Sequence, residues 1–478
     1  MTPAKSGMLH RSFWAITDNL VQQGLTFVIF SLLARWLTPT EFGLMVVAHL
    51  LVQAARTTVL DAIATPIIRS RHRHNVLFDW LFTVSTVSAI AVAAMVCATA
   101  PLFASWLAAP QLTWVLVSMS LPILFFGMGR AHEARLLRAA NFRLLALRST
   151  IAVSMGGVAA IATAIQGGGV MALVVQQVTT GLLTFLISFA AEWKSWRPRW
   201  CWRTSLLKRH FKEIRSVSAS ACFGFANTQG DAMLVVSLLG PHAAGLYNLA
   251  KRLVSAIYLV IGSSLGRVSV SMFLQSTDDP PKLRSAYVKI IRLALLLLLS
   301  SYTLLFTMPH EIIRVLFGAH WVESAPVVPI LAATFIAQLI FNMGQNLSFN
   351  TGKATRVPKL ALLQLSVFVT GAFSFSGLGL TAVALWFGAG AALGALLMQA
   401  AVKQQLGLSF RDLWNALAPA AVSAGLCGLT IYALRWAGTV ASTWPSVVFA
   451  SSVALAVFGV SAGCCLKFEF RRRSKLAV

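Results

Sequence analysis

Apolar stretches of about 20 residues alternate with short polar connections along almost the whole chain. A helix of about that length crosses roughly 30 Å of hydrocarbon, because each residue adds about 1.5 Å of rise. The pattern predicts an all-α integral membrane protein with about fourteen transmembrane helices. The predicted spans are 12–35, 42–68, 77–102, 112–130, 149–166, 169–192, 217–239, 242–270, 288–308, 325–347, 358–376, 379–401, 414–436 and 444–466.

Composition excludes a soluble domain. The 478 residues are 57% hydrophobic and only 11% charged, with a mean hydropathy of +0.76. About a quarter of a soluble protein's residues carry charge. Lipid must therefore cover much of the apolar surface of this chain.

The net charge of +25 predicts membrane topology rather than nucleic-acid binding. Counted over the tails and the connections after even-numbered spans, 32 of the 39 Lys and Arg residues fall on one predicted side. Cationic loops remain in the cytoplasm. We expect a multi-pass protein of the bacterial inner membrane with both termini cytoplasmic.

Two basic segments point to anionic lipids at the cytoplasmic face as partners. Residues 129–148 place five leucines beside arginines, a pattern typical of an amphipathic helix lying on the inner leaflet. A cytoplasmic extension of a span explains that pattern equally well. The tryptophan-rich residues 193–202 are a candidate interfacial anchor.

A short motif, L-x-P-x-x-x-G-L, occurs at residues 37–44 and again at 239–246. Each copy joins a polar-faced span to a longer apolar one, with proline expected to end one helix and glycine to permit the turn. The spacing predicts duplicated halves of parallel topology, as in many transporters. The predicted domains are an N-terminal six-helix bundle (1–192), a basic linker (193–216), a C-terminal six-helix bundle (217–401), and two extra helices with a basic tail (402–478).

Polar side chains form stripes on three predicted spans. Helix-to-helix hydrogen bonding explains any single Asn or Gln in a membrane. Three stripes together, two of them on repeat-equivalent spans, favour a hydrated cavity. The candidate cavity residues from these stripes are Asp18, Gln22, Asn227, Asp231, Asn342 and Gln345.

Three cations lie too deep for loop residues. Arg56 lies roughly 20 Å into span 2, and Lys251 and Arg252 lie roughly 15 Å into span 8. Charge at such depth is costly unless it is paired or faces water. Asp61 follows Arg56 by five residues, which only partly suits a same-face pair. We expect Arg56, Lys251, Arg252 and Asp61 to line a path for an anionic substrate such as a pyrophosphate.

Motifs for other chemistries are absent from the sequence. Asn350-Thr-Gly352-Lys353-Ala-Thr lacks the first glycine of a nucleotide-binding P-loop and has alanine after the lysine. Neither G-x-S-x-G nor H-E-x-x-H occurs. The sequence therefore predicts no enzyme, no cofactor and no metal site.

Several segments together resemble a known family. LLARWLTPTEFGLMVVA (32–48), RLLRAANFRLLALRS (135–149), GLYNLAKRLV (245–254), LFGAHWVESAPVVPILA (316–332) and NTGKATRVPK (350–359) are similar, in this order, to the Wzx-like polysaccharide-export flippases. These form a branch of the MATE/oligosaccharidyl-lipid/polysaccharide exporter superfamily (MOP).

The resemblance implies two six-helix bundles around a central cavity, with two more helices. It also implies translocation of undecaprenyl-pyrophosphate-linked oligosaccharide by alternating access, in company with polysaccharide polymerase or export machinery. Two alternatives stay open. An ion-coupled multidrug exporter of the same superfamily should favour carboxylates over deep cations. A non-transporting subunit of a polysaccharide assembly complex is the other alternative; a polymerase should have a large periplasmic loop, whereas the longest predicted outward connection, about 309–324, is short.

Overall fold

The computed structural model describes residues 21–70, 75–276, 279–353, 355–437 and 443–476. Within these residues, twelve helices are long and apolar enough to cross a membrane, and Val21–Leu33 is a shorter apolar helix. One of the twelve, Thr204–Ser276, contains 73 residues, about twice the length of a single crossing.

Gly240 divides this long helix, because its backbone has φ +79° and is not helical. Pro241 follows directly and begins the next helix. We number residues 204–239 as α7 and residues 241–276 as α8. With this division the described chain contains fourteen principal helices, consistent with the predicted number and with an all-α membrane fold. The other twelve are α1 Val21–Leu33, α2 Pro39–Arg69, α3 Asn75–Trp106, α4 Gln111–Arg138, α5 Phe142–Ile165, α6 Val170–Glu192, α9 Pro280–Thr307, α10 Val327–Asn350, α11 Arg356–Phe375, α12 Leu380–Leu406, α13 Phe410–Trp436 and α14 Trp444–Leu476.

The two L-x-P-x-x-x-G-L motifs start helices rather than ending them. Pro39 occupies the first turn of α2, where its missing N–H has no intrahelical partner to lose. Thr38 caps that turn, since its hydroxyl accepts from the Glu41 N–H while its own N–H donates to the Glu41 carboxylate. Gly43 lies inside α2, so the expectation that this glycine permits the turn is wrong.

The motif glycines instead allow the two junctions to touch. A Cβ placed on Gly43 would lie 1.7 Å from the carbonyl oxygen of Pro241, and one on Gly245 would lie 1.9 Å from that of Pro39. Thr40 Oγ1 lies 3.3 Å from Nδ1 of His242. The two motifs therefore contact each other reciprocally, through residues at equivalent motif positions, while the predicted duplication of the chain stays a prediction.

The chain forms two compact units, Met1–Gly245 and Leu246–Val478. Within the first unit, α3 packs on α4, α5 on α6, and α4 on α6. Within the second, α10 and α11 pack on α12, and α9 and α14 pack on α13. The predicted boundaries of bundles, linker and extra helices stay predictions.

Residues 129–148 do not form a separate surface helix. Residues 129–138 continue α4, and α5 begins at Phe142 with Asn141 as its N-cap. The turn between the two helices places Ala140 at φ 52°. At about 1.5 Å per residue, α4 is roughly 40 Å long and exceeds the hydrocarbon thickness. Its arginine-rich end is therefore an extension of a span, as the alternative interpretation held.

Candidate functional site

Arg56 begins a π-helical turn, Arg56–Leu60, in the middle of α2. The N–H of Asp61 donates to the Arg56 carbonyl, five residues earlier, and so closes the wide turn. Hydroxyls of Thr57 and Thr58 donate to the carbonyls of Gln53 and Ala54, at 2.8 and 2.6 Å. π-Helical turns of this kind frequently occur at functional sites.

The Arg56 side chain lies over an aromatic ring. Its guanidinium carbon is 4.8 Å from the centroid of Phe126, on α4, and the residue is half-buried. Counted from Pro39, Arg56 lies about 25 Å along α2, close to the middle of this helix of 31 residues. A cation–π contact of this kind stabilises a guanidinium without neutralising it, and Arg56 stays a candidate cavity residue.

Asp61 pairs with a different arginine. Its Oδ1 lies 2.7 Å from Nη2 of Arg130, and Arg130 Nη1 lies 2.8 Å from the Glu133 carboxylate. Glu133 also accepts from Arg148 at 3.4 Å. We call Asp61, Arg130, Glu133 and Arg148 the Glu133 cluster. It joins α2, α4 and α5 where their apolar parts end.

Glu192 forms a second ionic contact of α4, separate from the Glu133 cluster. Arg135 Nε donates to the Glu192 carboxylate at 2.7 Å, and its guanidinium lies 5.1 Å from the ring of Trp196. The Trp196 indole donates to Asp79 at 2.9 Å and is only 5% exposed. The prediction that residues 193–202 anchor at the interface is therefore wrong for Trp196, although Trp200 is 68% exposed.

The other candidates of the first unit are dispersed over α1 and α7. Asp18 lies outside the described residues. Gln22 is half-buried on α1. On α7, Asn227 is exposed, whereas Asp231 is only 3% exposed.

In the second unit, Lys251 and Arg252 are half-buried on α8. The polar stripe of α10 faces the same helix, since Asn342 Nδ2 donates to the Tyr258 hydroxyl at 2.6 Å. One turn further, Asn346 Nδ2 donates to Ser269 Oγ at 3.2 Å. Gln345 is half-buried on α10. Asn342 thus fixes α10 to α8, and Gln345 stays a candidate cavity residue.

From the sequence, Arg130 and Arg148 are expected only as cations of a cytoplasmic connection or of the basic segment 129–148, and Glu133 is not singled out. One feature could have identified them. Arg130 and Glu133 are three residues apart, the spacing of an intrahelical ion pair, and Glu133 is one of only 14 acidic residues in the chain. Within the described residues, no group of three or more His, Cys, Asp or Glu side chains could hold a metal ion.

The fold is similar to that of solved transporters of the MOP superfamily. A structure titled lipid II flippase MurJ, inward closed conformation, superimposes with a TM-score of 0.74, covering 97% of this chain and 99% of the other at 12% identity. An inward-facing multidrug-resistance MATE transporter of the MOP superfamily gives a TM-score of 0.53 over 83% of this chain and 94% of the other, at 15% identity.

Within this class the sequence is more specific. Residues 32–326 match the family model described as polysaccharide biosynthesis protein, and the chain belongs to that family. The succinoglycan biosynthesis transport protein ExoT of Rhizobium meliloti is 26% identical over 67% of this chain and 64% of its own length. The lipopolysaccharide biosynthesis protein WzxC of Escherichia coli is 21% identical over 69% of this chain and 67% of its own. The chain thus matches about two thirds of the length of these relatives.

Proposed function

We propose that the protein is an inner-membrane flippase that translocates undecaprenyl-pyrophosphate-linked oligosaccharide units for exopolysaccharide or lipopolysaccharide assembly. Membership of the polysaccharide biosynthesis family carries this proposal. The cations Arg56, Lys251 and Arg252 support it, since a pyrophosphate needs cationic partners where water is scarce. The protein itself performs no covalent chemistry in this proposal.

The proposed orientation has both termini in the cytoplasm, because the cationic connections should remain there. The partners proposed with it are the lipid-linked oligosaccharide, anionic lipids at the cytoplasmic face, and polysaccharide polymerase or export machinery. The motif junctions then lie at the periplasmic ends of their helices.

The reciprocal contact of the two junctions supports alternating access as the mechanism. In the state described here, the backbones at Gly43 and Pro241 are in direct contact. A periplasm-facing state requires helices of the two repeats to separate at that end. The junctions would thus separate and rejoin once in each transport cycle.

Deletion of the gene tests the proposal directly. Surface polysaccharide should disappear, and lipid-linked repeat units should accumulate in the membrane, as quantified by mass spectrometry of extracted lipids. Complementation with the wild-type chain should reverse both effects. Unchanged polysaccharide combined with new drug sensitivity would contradict the proposal in favour of a multidrug exporter.

We expect Arg56→Ala and Lys251→Ala each to reduce polysaccharide export by roughly tenfold or more, since a charge-assisted hydrogen bond contributes about 1.5–3 kcal/mol. Export is measured against the amount of protein in the membrane, which should stay unchanged. Arg267→Ala is the matched control, because Arg267 is exposed near the end of α8. Wild-type export by both variants would remove these residues from the proposed path.

A further inference from the structure

A cavity of about 640 Å³ opens in the second unit, where the first turns of α9 approach the start of α13. Neither the candidate cations Lys251 and Arg252 nor any residue of the Glu133 cluster lines it. Eight of its nine lining residues belong to α9. They are Pro281, Arg284, Ser285, Val288, Lys289, Arg292, Leu293 and Leu296, with Asp412 from α13.

Two arginines of this α9–α13 cavity are held in place by α13. Arg284 is ion-paired with the Asp412 carboxylate, and Arg292 Nη2 donates to the backbone carbonyl of Asn415 at 3.1 Å. Both pairs join residues more than 120 positions apart, so the packing of the two helices fixes the guanidinium groups. A preorganised cationic site loses less conformational freedom when it binds an anion.

Lys289 lies between the two arginines in sequence, on the same face of α9, and is exposed. Three cations thus face the cavity with one carboxylate, which leaves a net charge of about two positive units. Cations concentrated against low-dielectric walls attract anions strongly. A phosphate or pyrophosphate group has the charge and the acceptor oxygens to match.

The lining changes from polar to apolar along α9. Arg284 and Leu296 are twelve residues apart, or about 18 Å along the helix, and Val288, Leu293 and Leu296 supply the apolar surface. Leu293 is 44% exposed. A smaller cavity of about 350 Å³, between residues 352 and 405, has cations but no such apolar floor. A charged end continued by an apolar wall suits an amphiphile better than a free anion.

We propose that the α9–α13 cavity binds the phosphate-bearing head group of a lipid in the cytoplasmic leaflet. Lys289 and Arg292 would bind the phosphate, and Leu293 and Leu296 would contact the first part of the chain. The cavity faces the cytoplasmic leaflet if both termini are cytoplasmic, as proposed above. Lipid binding there does not depend on whether the protein translocates a lipid. Two kinds of lipid have a phosphate linked to apolar chains and could occupy the cavity: bulk phosphatidylglycerol and a polyprenyl pyrophosphate carrier.

Binding to the purified full-length protein tests this proposal. The probes are phosphatidylglycerol, farnesyl pyrophosphate and inorganic pyrophosphate, measured by native mass spectrometry and by displacement titration. Lys289→Gln and Arg292→Gln should each weaken lipid binding by about tenfold, the effect of losing one charge-assisted hydrogen bond. Lys282→Gln is the matched control, since Lys282 is on the same helix but is paired with Asp279 at 2.8 Å and 75% exposed.

If Lys289→Gln and Arg292→Gln lose binding of phosphatidylglycerol only, the cavity is a site for bulk lipid. If they lose binding of farnesyl pyrophosphate only, it is a site for the lipid carrier. Either result supports the proposal. Equal binding by Lys289→Gln, Arg292→Gln and Lys282→Gln overturns it. So does binding of inorganic pyrophosphate as tight as that of the lipids, which would show that the apolar wall contributes nothing. The assay involves no transport, so failure of the flippase proposal would leave this result unaffected.

Discussion

Replacing Gly43 with alanine is expected to reduce polysaccharide export by about tenfold or more while the protein still inserts into the membrane. The added Cβ would lie 1.7 Å from the Pro241 carbonyl oxygen, which is backbone and cannot rotate away. Overpacking of this kind costs roughly 1–3 kcal/mol, and each 1.4 kcal/mol changes a population about tenfold. The described arrangement of the two junctions would therefore become a minor state.

The equivalent change, Gly245→Ala, should produce a similar loss, because its Cβ would lie 1.9 Å from the Pro39 carbonyl oxygen. Gly230→Ala on α7 is the matched control, since a Cβ there meets nothing within 4 Å. Export is normalised to membrane protein measured by immunoblot. Normal export from both motif variants would show that the junction contact has no part in transport.

Glu133→Gln is expected to destabilise the first unit more than neutralisation of Asp61, the other carboxylate of the Glu133 cluster. Glu133 is shared by Arg130 and Arg148, at 2.8 and 3.4 Å, and its loss leaves their charges poorly compensated. Breaking a fully buried pair costs about 3–5 kcal/mol. Because the Glu133 side chain is 22% exposed, we expect a smaller cost of about 2–4 kcal/mol.

Thermal unfolding of the detergent-purified protein measures this effect as a lower midpoint. Glu213→Gln is the control, since Glu213 is exposed on α7. Combining Glu133→Gln with Arg148→Met should recover part of the loss, because one uncompensated charge is removed with its partner. Strict additivity of the two changes would argue against an energetic link between Glu133 and Arg148.

The number of helices and the positions of their apolar parts could be predicted because the bilayer imposes a length on each apolar run. The helix ends could not, since α4 continues to Arg138 and α7 begins at Thr204, well beyond the predicted spans 112–130 and 217–239. The two related motifs could also be found, since they share residues at the same spacing. The role of Pro39 was predicted incorrectly, because proline both ends and starts helices and the sequence alone does not distinguish the two. Thr38 and Glu41 give the answer, as together they form a capping box at a helix start.

The pairing of side chains between helices could not be predicted. Asp61 and Arg130 are 69 positions apart, and their contact depends on how α2 and α4 are rotated about their axes. No local pattern encodes that rotation. For the same reason Asp61 was associated with Arg56, its near neighbour, whereas the structure places Arg56 against Phe126. The candidate cavity residues stay predictions, to be tested by the variants above.

The central claim, translocation of a lipid-linked oligosaccharide, is tested most directly by the leaflet location of that lipid. In spheroplasts, a membrane-impermeant glycosidase or periodate label reaches only oligosaccharide on the outer face. In the deletion strain, lipid-linked repeat units should be protected from the label, and complementation should make them accessible. Equal accessibility in the deletion and complemented strains would contradict the flippase proposal.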